Sequence, residues 1–391
     1  MRSSRTLEQH VAVFGEAGSG KTVLVSSFYG ASQEPRHLKR SLFDLIANHA
    51  GQGTRLQRNY LGMRDSNRVP EPTSFESHSY SFTVRLKDAP SVKAAKRRPF
   101  DALNLVWHDY PGEWFESGVS GVTEHQRKVE TFRSLLGSDV AVFLVDGQRL
   151  LDNAGSEERY LKSLFSNFRN GLLSIKDEIL PDGEPLVTFP RIWILALSKA
   201  DLLPEVDVYR FRDLVIEKAG EDLDQLRTVL EGFVQASEAL AVGEDFLLLS
   251  SARFEADTIA VQERVGIDLF LPLAATLPLE RHVRWVHSRQ LPGKVAESLL
   301  AQKRALNYVS LALGLLGKVR APGPLGVVQG VAATVLSKVT LEQAVTLAGD
   351  KLRAANAEAL AKEKNLTAML TGFRIRLEDG EREQTLLRSR R

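Results

Sequence analysis

A glycine-rich octapeptide near the start of the chain, residues 15–22, dictates much of its architecture. The octapeptide has the sequence Gly-Glu-Ala-Gly-Ser-Gly-Lys-Thr and follows an apolar segment, residues 7–14, whose composition predicts a short buried strand. Residues 23–29 can continue as a helix, so the context is a strand, a tight loop and a helix. In this context the spacing G-x-x-x-x-G-K-[ST] predicts a loop that wraps the phosphates of a nucleoside triphosphate.

Each residue type in this loop serves phosphate binding. Glycines let the backbone turn tightly and point its N–H groups inward, where a side chain would collide with phosphate. The helix that follows adds about half a positive charge at its N-terminus. Lys21 supplies a point charge for the β- and γ-phosphates, which predicts a catalytic role as well, and the Thr22 hydroxyl is a Mg²⁺ ligand. The residues predicted to bind nucleotide here are Gly15, Glu16, Ala17, Gly18, Ser19, Gly20, Lys21 and Thr22.

Composition and charge exclude several classes of function. The chain has 391 residues, of which 43% are hydrophobic and 26% are charged, as in a soluble globular protein of one large domain or two. Its net charge of +2 gives no reason to expect a nucleic-acid partner. The absence of cysteine excludes disulfides, thiolate metal sites and cysteine nucleophiles. No apolar run reaches the roughly 18 residues that a bilayer span needs, and no signal-peptide core is evident, so we expect a cytoplasmic location.

Apolar runs and helical segments alternate over residues 1–290, a pattern that predicts an α/β fold with a mostly parallel sheet and helices on both faces. Residues 31–72 carry no strong strand signal, and we interpret them as an inserted helix followed by a loop. After the first strand, further strands are predicted at 77–86, 100–108, 140–145, 192–197 and 246–249, and helices at 123–136, 157–175 and most of 207–241.

The remaining residues, 291–391, predict a separate C-terminal α-helical region with a charged tail that frays from Arg374 onward. Within it, two short apolar segments rich in small residues, 305–316 and 325–336, are each too short to span a bilayer and can pair as a helical hairpin. Two interpretations remain open. The hairpin packs on the first domain or on the third helix of this region, or it forms a surface for a partner protein or a membrane.

Polar groups follow the ends of several predicted strands, where parallel sheets bind their ligands. Asp109 ends one strand, and its carboxylate can hold Mg²⁺ through water; the nearby Gly112 N–H can then reach the γ-phosphate. Ser198-Lys-Ala-Asp201 resembles the [NT]-K-x-D element that recognises guanine, with Lys199 covering the base and Asp201 accepting from its N–H groups. The loop Ser250-Ser-Ala252 resembles the one whose backbone meets the guanine carbonyl, so Ser251 and Ala252 are also predicted to bind nucleotide.

Together these motifs resemble the translation-factor-related (TRAFAC) class of P-loop GTPases, which includes Ras-like switches. The segment Trp107-His-Asp-Tyr-Pro-Gly-Glu-Trp114 is most similar to the bacterial YcjX-like and double-GTPase groups. The resemblance implies a Ras-like P-loop fold over residues 7–290 that binds GTP or GDP with Mg²⁺. It also implies that Thr73 joins Thr22 and Asp109 as a Mg²⁺ ligand and acts in catalysis, with Thr54 and Thr83 as rivals for its place.

Two departures from the family pattern bear on activity. Ser198 stands where the family has Asn, so an amide that braces the phosphate loop is missing and the strictness of GTP over ATP is open. Glu113 stands where Ras-like enzymes have the Gln that orients the attacking water, which predicts a catalytic Glu113 with slow intrinsic hydrolysis. The prediction is a GTP-hydrolysing switch with a protein effector or activating partner. A nucleotide-binding scaffold with little hydrolysis is the alternative, followed by a P-loop ATPase or kinase.

Overall fold

The architecture is an eight-stranded, mostly parallel sheet between two layers of helices. The computed structural model describes residues 6–71, 78–87, 100, 102–110, 122–180, 182–186, 192–234, 237, 240–255, 257–288, 349–362 and 364–389. The strands of the described residues are β1 (Thr6–Phe14), β2 (Phe43–Ala47), β3 (His78–Leu86), β4 (Ala102–Asp109), β5 (Val140–Asp146), β6 (Ile192–Ser198), β7 (Ala241–Leu248), β8 (Arg253–Phe254), β9 (Ile259–Ala260) and β10 (Leu386–Leu387). Their helices are α1 (Lys21–Ser32), α2 (Pro35–Arg40), α3 (Ala50–Ser66), α4 (Val122–Leu136), α5 (Gly147–Asp152), α6 (Glu157–Ser174), α7 (Lys176–Ile179), α8 (Val208–Glu231), α9 (Phe270–Ser288), α10 (Gly349–Ala361) and α11 (Asn365–Arg382).

The strand order of the large sheet is β10-β7-β6-β5-β1-β4-β3-β2, and its five central strands, β7 to β4, run parallel. β1 therefore lies in the middle of the sheet, with β4 on one side and β5 on the other. The register pairs Val13 with Asp109, and the neighbouring pair β5–β6 sets Asp146 beside Ser198. The carboxyl ends of the parallel strands meet at one edge of the sheet, as the sequence predicted for its polar strand-end groups.

Hydrophobic side chains on the two faces of the sheet form two separate cores. One core joins β1, β3 and β4 to α1, α9 and α11 around Trp107, whose ring lies 4.5 Å from that of Phe270 between centroids. The other core joins β5 and β6 to α4, α6 and α8 around Phe14, Phe143 and Phe168. The prediction of helices on both faces of a mostly parallel sheet is confirmed.

The segment 31–72 is more than the inserted helix and loop that we expected, and that interpretation is wrong. It contains the edge strand β2, which pairs antiparallel with β3 from Phe43–Leu86 to Ala47–Phe82, followed by the 17-residue helix α3. The helical spacing of Leu38, Leu42 and Leu45 misled the prediction. At an edge, only one neighbouring strand and one face define the pattern, so the polar and apolar residues of β2 do not alternate clearly.

Regular structure continues through residues 374–387, so the expectation that the chain frays from Arg374 onward is also wrong. Helix α11 continues to Arg382, and β10 pairs antiparallel with β7 through Leu386–Leu247 and Leu387–Phe246. The division of the chain at about residue 290 stays a prediction, but residues 365–389 complete the sheet and the core of the first domain.

Buried ion pairs fasten this terminal segment. The side chains of Arg374 and Glu280 form a pair at 3.1 Å and are only 6% and 3% exposed. Arg388 also bonds Glu280, at 3.1 Å. The Asp245 carboxylate pairs with Arg281 and accepts a bond from the Ser389 backbone N–H at 2.9 Å. Burial raises the pKa of Asp245, and Arg281 opposes that shift. The sequence predicted this strand from Phe246, whereas β7 begins at Ala241. The prediction missed the first half of the strand because its polar residues do not resemble a buried strand.

The predicted hairpin segments, 305–316 and 325–336, lie outside the described residues. Among the helices that the structure describes, none combines the length and apolarity that crossing a bilayer needs. The predicted contact with a membrane or a partner through 305–336 therefore stays a prediction.

Candidate functional site

The glycine loop adopts the tight turn that the sequence predicted, between β1 and the first residue of α1. Gly18 and Gly20 have φ angles of +79° and +89°, in the left-handed region that favours glycine. Gly15 is restricted by packing instead, because a Cβ atom there would lie 2.5 Å from Ser19 Oγ and 2.9 Å from Leu144 Cβ. The loop thus presents its backbone at the N-terminus of α1, where the helix dipole favours an anion.

Lys21 folds back onto the loop that precedes it. Its ammonium donates to the carbonyl oxygens of Gly15 at 2.7 Å and Glu16 at 3.0 Å. The Thr22 hydroxyl, one residue further on, lies 3.4 Å from Asp109 Oδ2 and donates to it. A hydroxyl and a carboxylate at the mouth of a phosphate loop are hard oxygen ligands of the kind that Mg²⁺ takes. Thr22 and Asp109, two of the three predicted metal ligands, are therefore brought together.

Three predicted site residues, Thr73, Gly112 and Glu113, lie outside the described residues, and their roles stay predictions. Of the two rivals of Thr73, Thr83 lies on β3 and donates its hydroxyl to Asn48 Oδ1 at 2.7 Å. Thr54 lines a groove of about 1260 Å³ together with Thr22.

This groove runs from Thr22 along α1 and α3, and several arginines of α3 and the following segment line it. Arg58 and Arg68 belong to its lining, whereas Arg64 is bound to Asp65 through two bonds of 2.7 and 2.9 Å. Arg55 donates to the Tyr80 hydroxyl at 2.9 Å. Burial, and next the charge of Asp109, raise the pKa of Tyr80 to about 12, which puts this tyrosine within the electrostatic reach of the predicted metal site.

The predicted base-recognition residues gather at the ends of β6 and β7. Asp201 is oriented through both oxygens: the Ser250 hydroxyl lies 2.6 Å from Oδ1, and the Phe254 backbone N–H donates to Oδ2 at 3.3 Å. Lys199 has a φ angle of +53°, a strained value for a lysine, and its ammonium donates to Asp146 Oδ2 at 2.8 Å. A carboxylate oxygen accepts more than one bond, so Asp201 keeps acceptor capacity for a further donor.

The loop after β7 is attached to the phosphate-binding helix. The Ser251 carbonyl accepts a bond from the Ser27 hydroxyl of α1 at 2.9 Å, and Ala252 follows in the buried core beneath α1 and α3. The Ala200 N–H donates to Leu249 O at 3.0 Å, which ties the two base loops together.

Ser198 is fully buried, and its hydroxyl faces Val145 O at 3.3 Å rather than the phosphate loop. The missing amide at position 198 is thus not replaced by Ser198 itself.

Sequence reasoning missed a contact between the phosphate loop and α5. Arg149 Nη1 lies 2.9 Å from Glu16 Oε2, and Arg149 Nη2 lies 3.5 Å from the Ala17 carbonyl oxygen. The helix begins directly after Asp146, whose carboxylate caps it by accepting from the Gln148 N–H at 2.9 Å. Asp146 is therefore a structural strand-end residue. The only signal for Arg149 was its position just beyond that strand end.

The imidazole of His108 belongs to a stack behind the predicted metal ligand. Its ring lies 5.3 Å from that of His10, with a hydrogen bond of 3.0 Å between their nitrogens, and 6.1 Å from the ring of Tyr110. Burial, assisted by the neighbouring His10, lowers the pKa of His108 to about 4. A neutral, stacked imidazole with this partner is a structural residue.

The strand order, the glycine loop and the strand-end groups together are those of the P-loop GTPase fold. Residues 9–180 match the family model described as Double-GTPase 2, which supports a P-loop GTPase of the double-GTPase type. The resemblance inferred from the motifs is thereby confirmed, and the family implies binding of a guanine nucleotide. No curated protein matches this chain.

Two solved structures are similar to this chain at low TM-scores. The signal recognition particle receptor SRb-GTP/SRX complex from Chaetomium thermophilum shares 16% identity, covering 66% of this chain and 94% of that one, with a TM-score of 0.32. A nucleolar GTP-binding protein 1 from Plasmodium falciparum shares 11% identity, covering 77% and 98%, with a TM-score of 0.30. At these scores the two likenesses add nothing to the strand order and the family match.

Proposed function

We propose that this protein is a Mg²⁺-dependent, GTP-hydrolysing switch of the cytoplasm with slow intrinsic turnover. The observation that carries the proposal is the common edge of the sheet at which three elements converge. The glycine loop lies at the N-terminus of α1, Thr22 bonds Asp109 at 3.4 Å, and Asp201 is oriented by Ser250 at 2.6 Å. Phosphate, metal and base therefore have candidate groups in the order that one nucleotide requires.

Base choice rests on Asp201 in this proposal. The ring N–H and exocyclic amine of guanine are donors, and adenine lacks that pair, so a carboxylate held in place by Ser250 and Phe254 favours GTP over ATP. Charge-assisted bonds of this kind are worth about 1.5–3 kcal/mol, or roughly ten- to hundredfold in affinity. Asp201→Asn should weaken GTP binding and favour xanthosine triphosphate, because the amide reverses the polarity that the base meets.

Calorimetric titration of the wild type and Asp201→Asn with GTP, ATP and xanthosine triphosphate tests this part. Asp207→Asn is a suitable control, because the Asp207 carboxylate caps α8 by accepting bonds from the Tyr209 and Arg210 N–H groups. Equal affinities of the wild type for GTP and ATP would contradict guanine recognition and favour an ATPase or a kinase.

Hydrolysis rests on groups at the γ-phosphate end. Mg²⁺, when bound, neutralises charge on the phosphate oxygens. Lys21 supplies a second positive charge, Thr22, Thr73 and Asp109 supply metal ligands, and Glu113 orients or activates the attacking water. A carboxylate at that place also repels the γ-phosphate, which is why we expect slow turnover without a protein partner. Glu113→Ala and Thr73→Ala should each reduce single-turnover GTP hydrolysis while GDP affinity stays near that of the wild type.

A nucleotide-binding scaffold with little hydrolysis is a second candidate, favoured by the buried Ser198, whose hydroxyl faces Val145 O at 3.3 Å instead of bracing the phosphate loop. A single-turnover assay with the wild type separates the two. Tight GTP binding without detectable phosphate release, alone and with cell extract as a source of an activating partner, would favour the scaffold. Measurable hydrolysis that Glu113→Ala and Thr73→Ala leave unchanged would assign the water-positioning role to another residue.

A further inference from the structure

The phosphate loop holds a carboxylate of its own, which is unexpected where phosphates are to be bound. The Glu16 side chain is only 8% exposed, and the backbone carbonyl of the same residue accepts a bond from Lys21 at 3.0 Å. An uncompensated negative charge in this loop would repel a triphosphate, and burial strengthens such a repulsion because few water molecules screen it. A cation close to Glu16 is therefore needed before an anion can bind.

Arg149 is that cation in the structure. Its Nη1 lies 2.9 Å from Glu16 Oε2, and its Nη2 lies 3.5 Å from Ala17 O, so one guanidinium contacts two consecutive residues of the loop. The planar fork of an arginine suits such a double contact better than the single ammonium of a lysine. The Arg149 side chain is 36% exposed, which leaves the pair at the rim of the loop rather than in the core.

The position of Arg149 also links the two ends of the nucleotide site. Arg149 belongs to α5, which Asp146 caps, and Asp146 in turn accepts a bond from Lys199 of the base-recognition motif at 2.8 Å. Tyr160 joins the same group, because its hydroxyl accepts from the Asp146 N–H at 2.9 Å and its pKa is raised by burial and then by the charge of Glu16. The short helix α5 thus stands between the phosphate loop and Lys199.

We propose that Arg149 is a positioning residue for nucleotide binding: it neutralises Glu16 and braces the phosphate loop against the base-recognition motif. In this role it takes over the function of the amide that Ser198 lacks. The inference rests on the proposed function, since it presupposes that the loop binds guanine nucleotide. Arg149 acts through Glu16 and Ala17, and no contact between Arg149 and a phosphate is required.

Four variants of the full chain test the proposal, each titrated with GDP and GTP in the presence of Mg²⁺. Arg149→Ala should lower the affinities for both nucleotides about ten- to hundredfold, because it removes the cation placed against a buried carboxylate. Arg149→Lys keeps the charge and should recover most of that loss. The double variant Arg149→Ala with Glu16→Gln should bind more tightly than Arg149→Ala alone, since the repelling charge is gone. Gln148→Ala is the matched control, because its exposed side chain donates to Asp152 Oδ1 at 2.8 Å, one turn along the same helix.

The melting temperature of each variant without nucleotide separates a binding effect from a folding effect. A merely structural arginine would lower the melting temperature, and Glu16→Gln would not restore affinity. Unchanged affinity in Arg149→Ala, or a double variant that binds no more tightly than Arg149→Ala, would overturn the inference while the proposed function stands. A wild type that binds neither nucleotide would overturn the proposed function, and the inference with it.

Discussion

Asp109 accepts a hydrogen bond from Thr22 at 3.4 Å, although the two residues are 87 positions apart in the sequence. The pairing of Asp109 with Val13 in neighbouring parallel strands brings them together, because β1 ends directly before the glycine loop. The sheet register thus sets the distance between these two predicted metal ligands. A shift of β4 by one residue would turn Asp109 to the other face of the sheet.

Removing the charge of Asp109 should uncouple nucleotide binding from Mg²⁺. We expect Asp109→Asn to lower GTP affinity by about 1–3 kcal/mol with Mg²⁺ present, since a hydrogen-bonded carboxylate is lost, and to change it little in the presence of a chelator. Calorimetry with Mg²⁺ and with EDTA measures both values. Asp213→Asn, at an exposed carboxylate paired with Arg212, is the control. An equal loss under both conditions would point to a structural role for Asp109.

The ammonium of Lys21 should be the largest single contributor to phosphate binding. Because it already bonds the carbonyls of Gly15 and Glu16, it is oriented before a ligand arrives. Lys21→Ala should weaken the binding free energy of GTP by about 3–5 kcal/mol, because it leaves phosphate charge unpaired in a partly desolvated site. Lys218→Ala, at an exposed position of α8, should bind like the wild type. Equal GTP affinities of Lys21→Ala and the wild type would refute the phosphate-loop assignment.

The ion pair between Arg374 and Glu280 should matter for the stability of the whole domain. Arg374→Ala leaves a buried carboxylate with one cation fewer, and we expect the free energy of unfolding to fall by about 3 kcal/mol. Urea denaturation measures the change. Arg382→Ala is the matched control on the same helix, because its side chain is 64% exposed, and we expect it to stay within about 0.5 kcal/mol of the wild type. Equal stabilities of the two variants would show that α11 is fastened by its apolar contacts alone.

The buried His108 predicts a loss of stability in mild acid. Its pKa is about 4 in the folded protein and 6.5 in a model peptide, so the unfolded chain binds more protons between these two pH values. The free energy of unfolding therefore falls as the pH drops from 6.5 to 4 and is unaffected by this group above 6.5. His108→Asn should reduce that slope, as urea denaturation across this pH range measures. Burial also lowers the pKa of His37, so part of the slope belongs to that residue.

Features that depend on neighbouring residues were predictable from the sequence. The glycine loop, the buried strands β5 and β6 and the polar groups at their ends follow from local spacing, and the carboxyl-end rule for parallel sheets joined them into one site. Asp201 and Thr22 were predicted as site residues in this way, without knowledge of their contacts.

Features that depend on distant partners were not predictable. The strand character of β2 comes from its pairing with β3, and that of Leu386–Leu387 comes from β7, so neither segment shows a strong pattern of its own. Arg149 was missed for the same reason, since its contact with Ala17 spans 132 positions. Glu16 was predicted only as a member of the phosphate loop, because one sequence does not reveal which charge faces its carboxylate.

The antiparallel pairing of β10 with β7 also determines when the protein can be completed during synthesis. Roughly 140 residues separate the two strands, and at about 5–20 residues per second a ribosome needs on the order of 10 s to make them. Until then the outer edge of β7, directly before the base loop at Ser250, has no strand beside it. The nascent chain therefore carries a finished phosphate loop long before its base-recognition edge is closed, and the open edge is the place where a chaperone or a wrong strand would bind first.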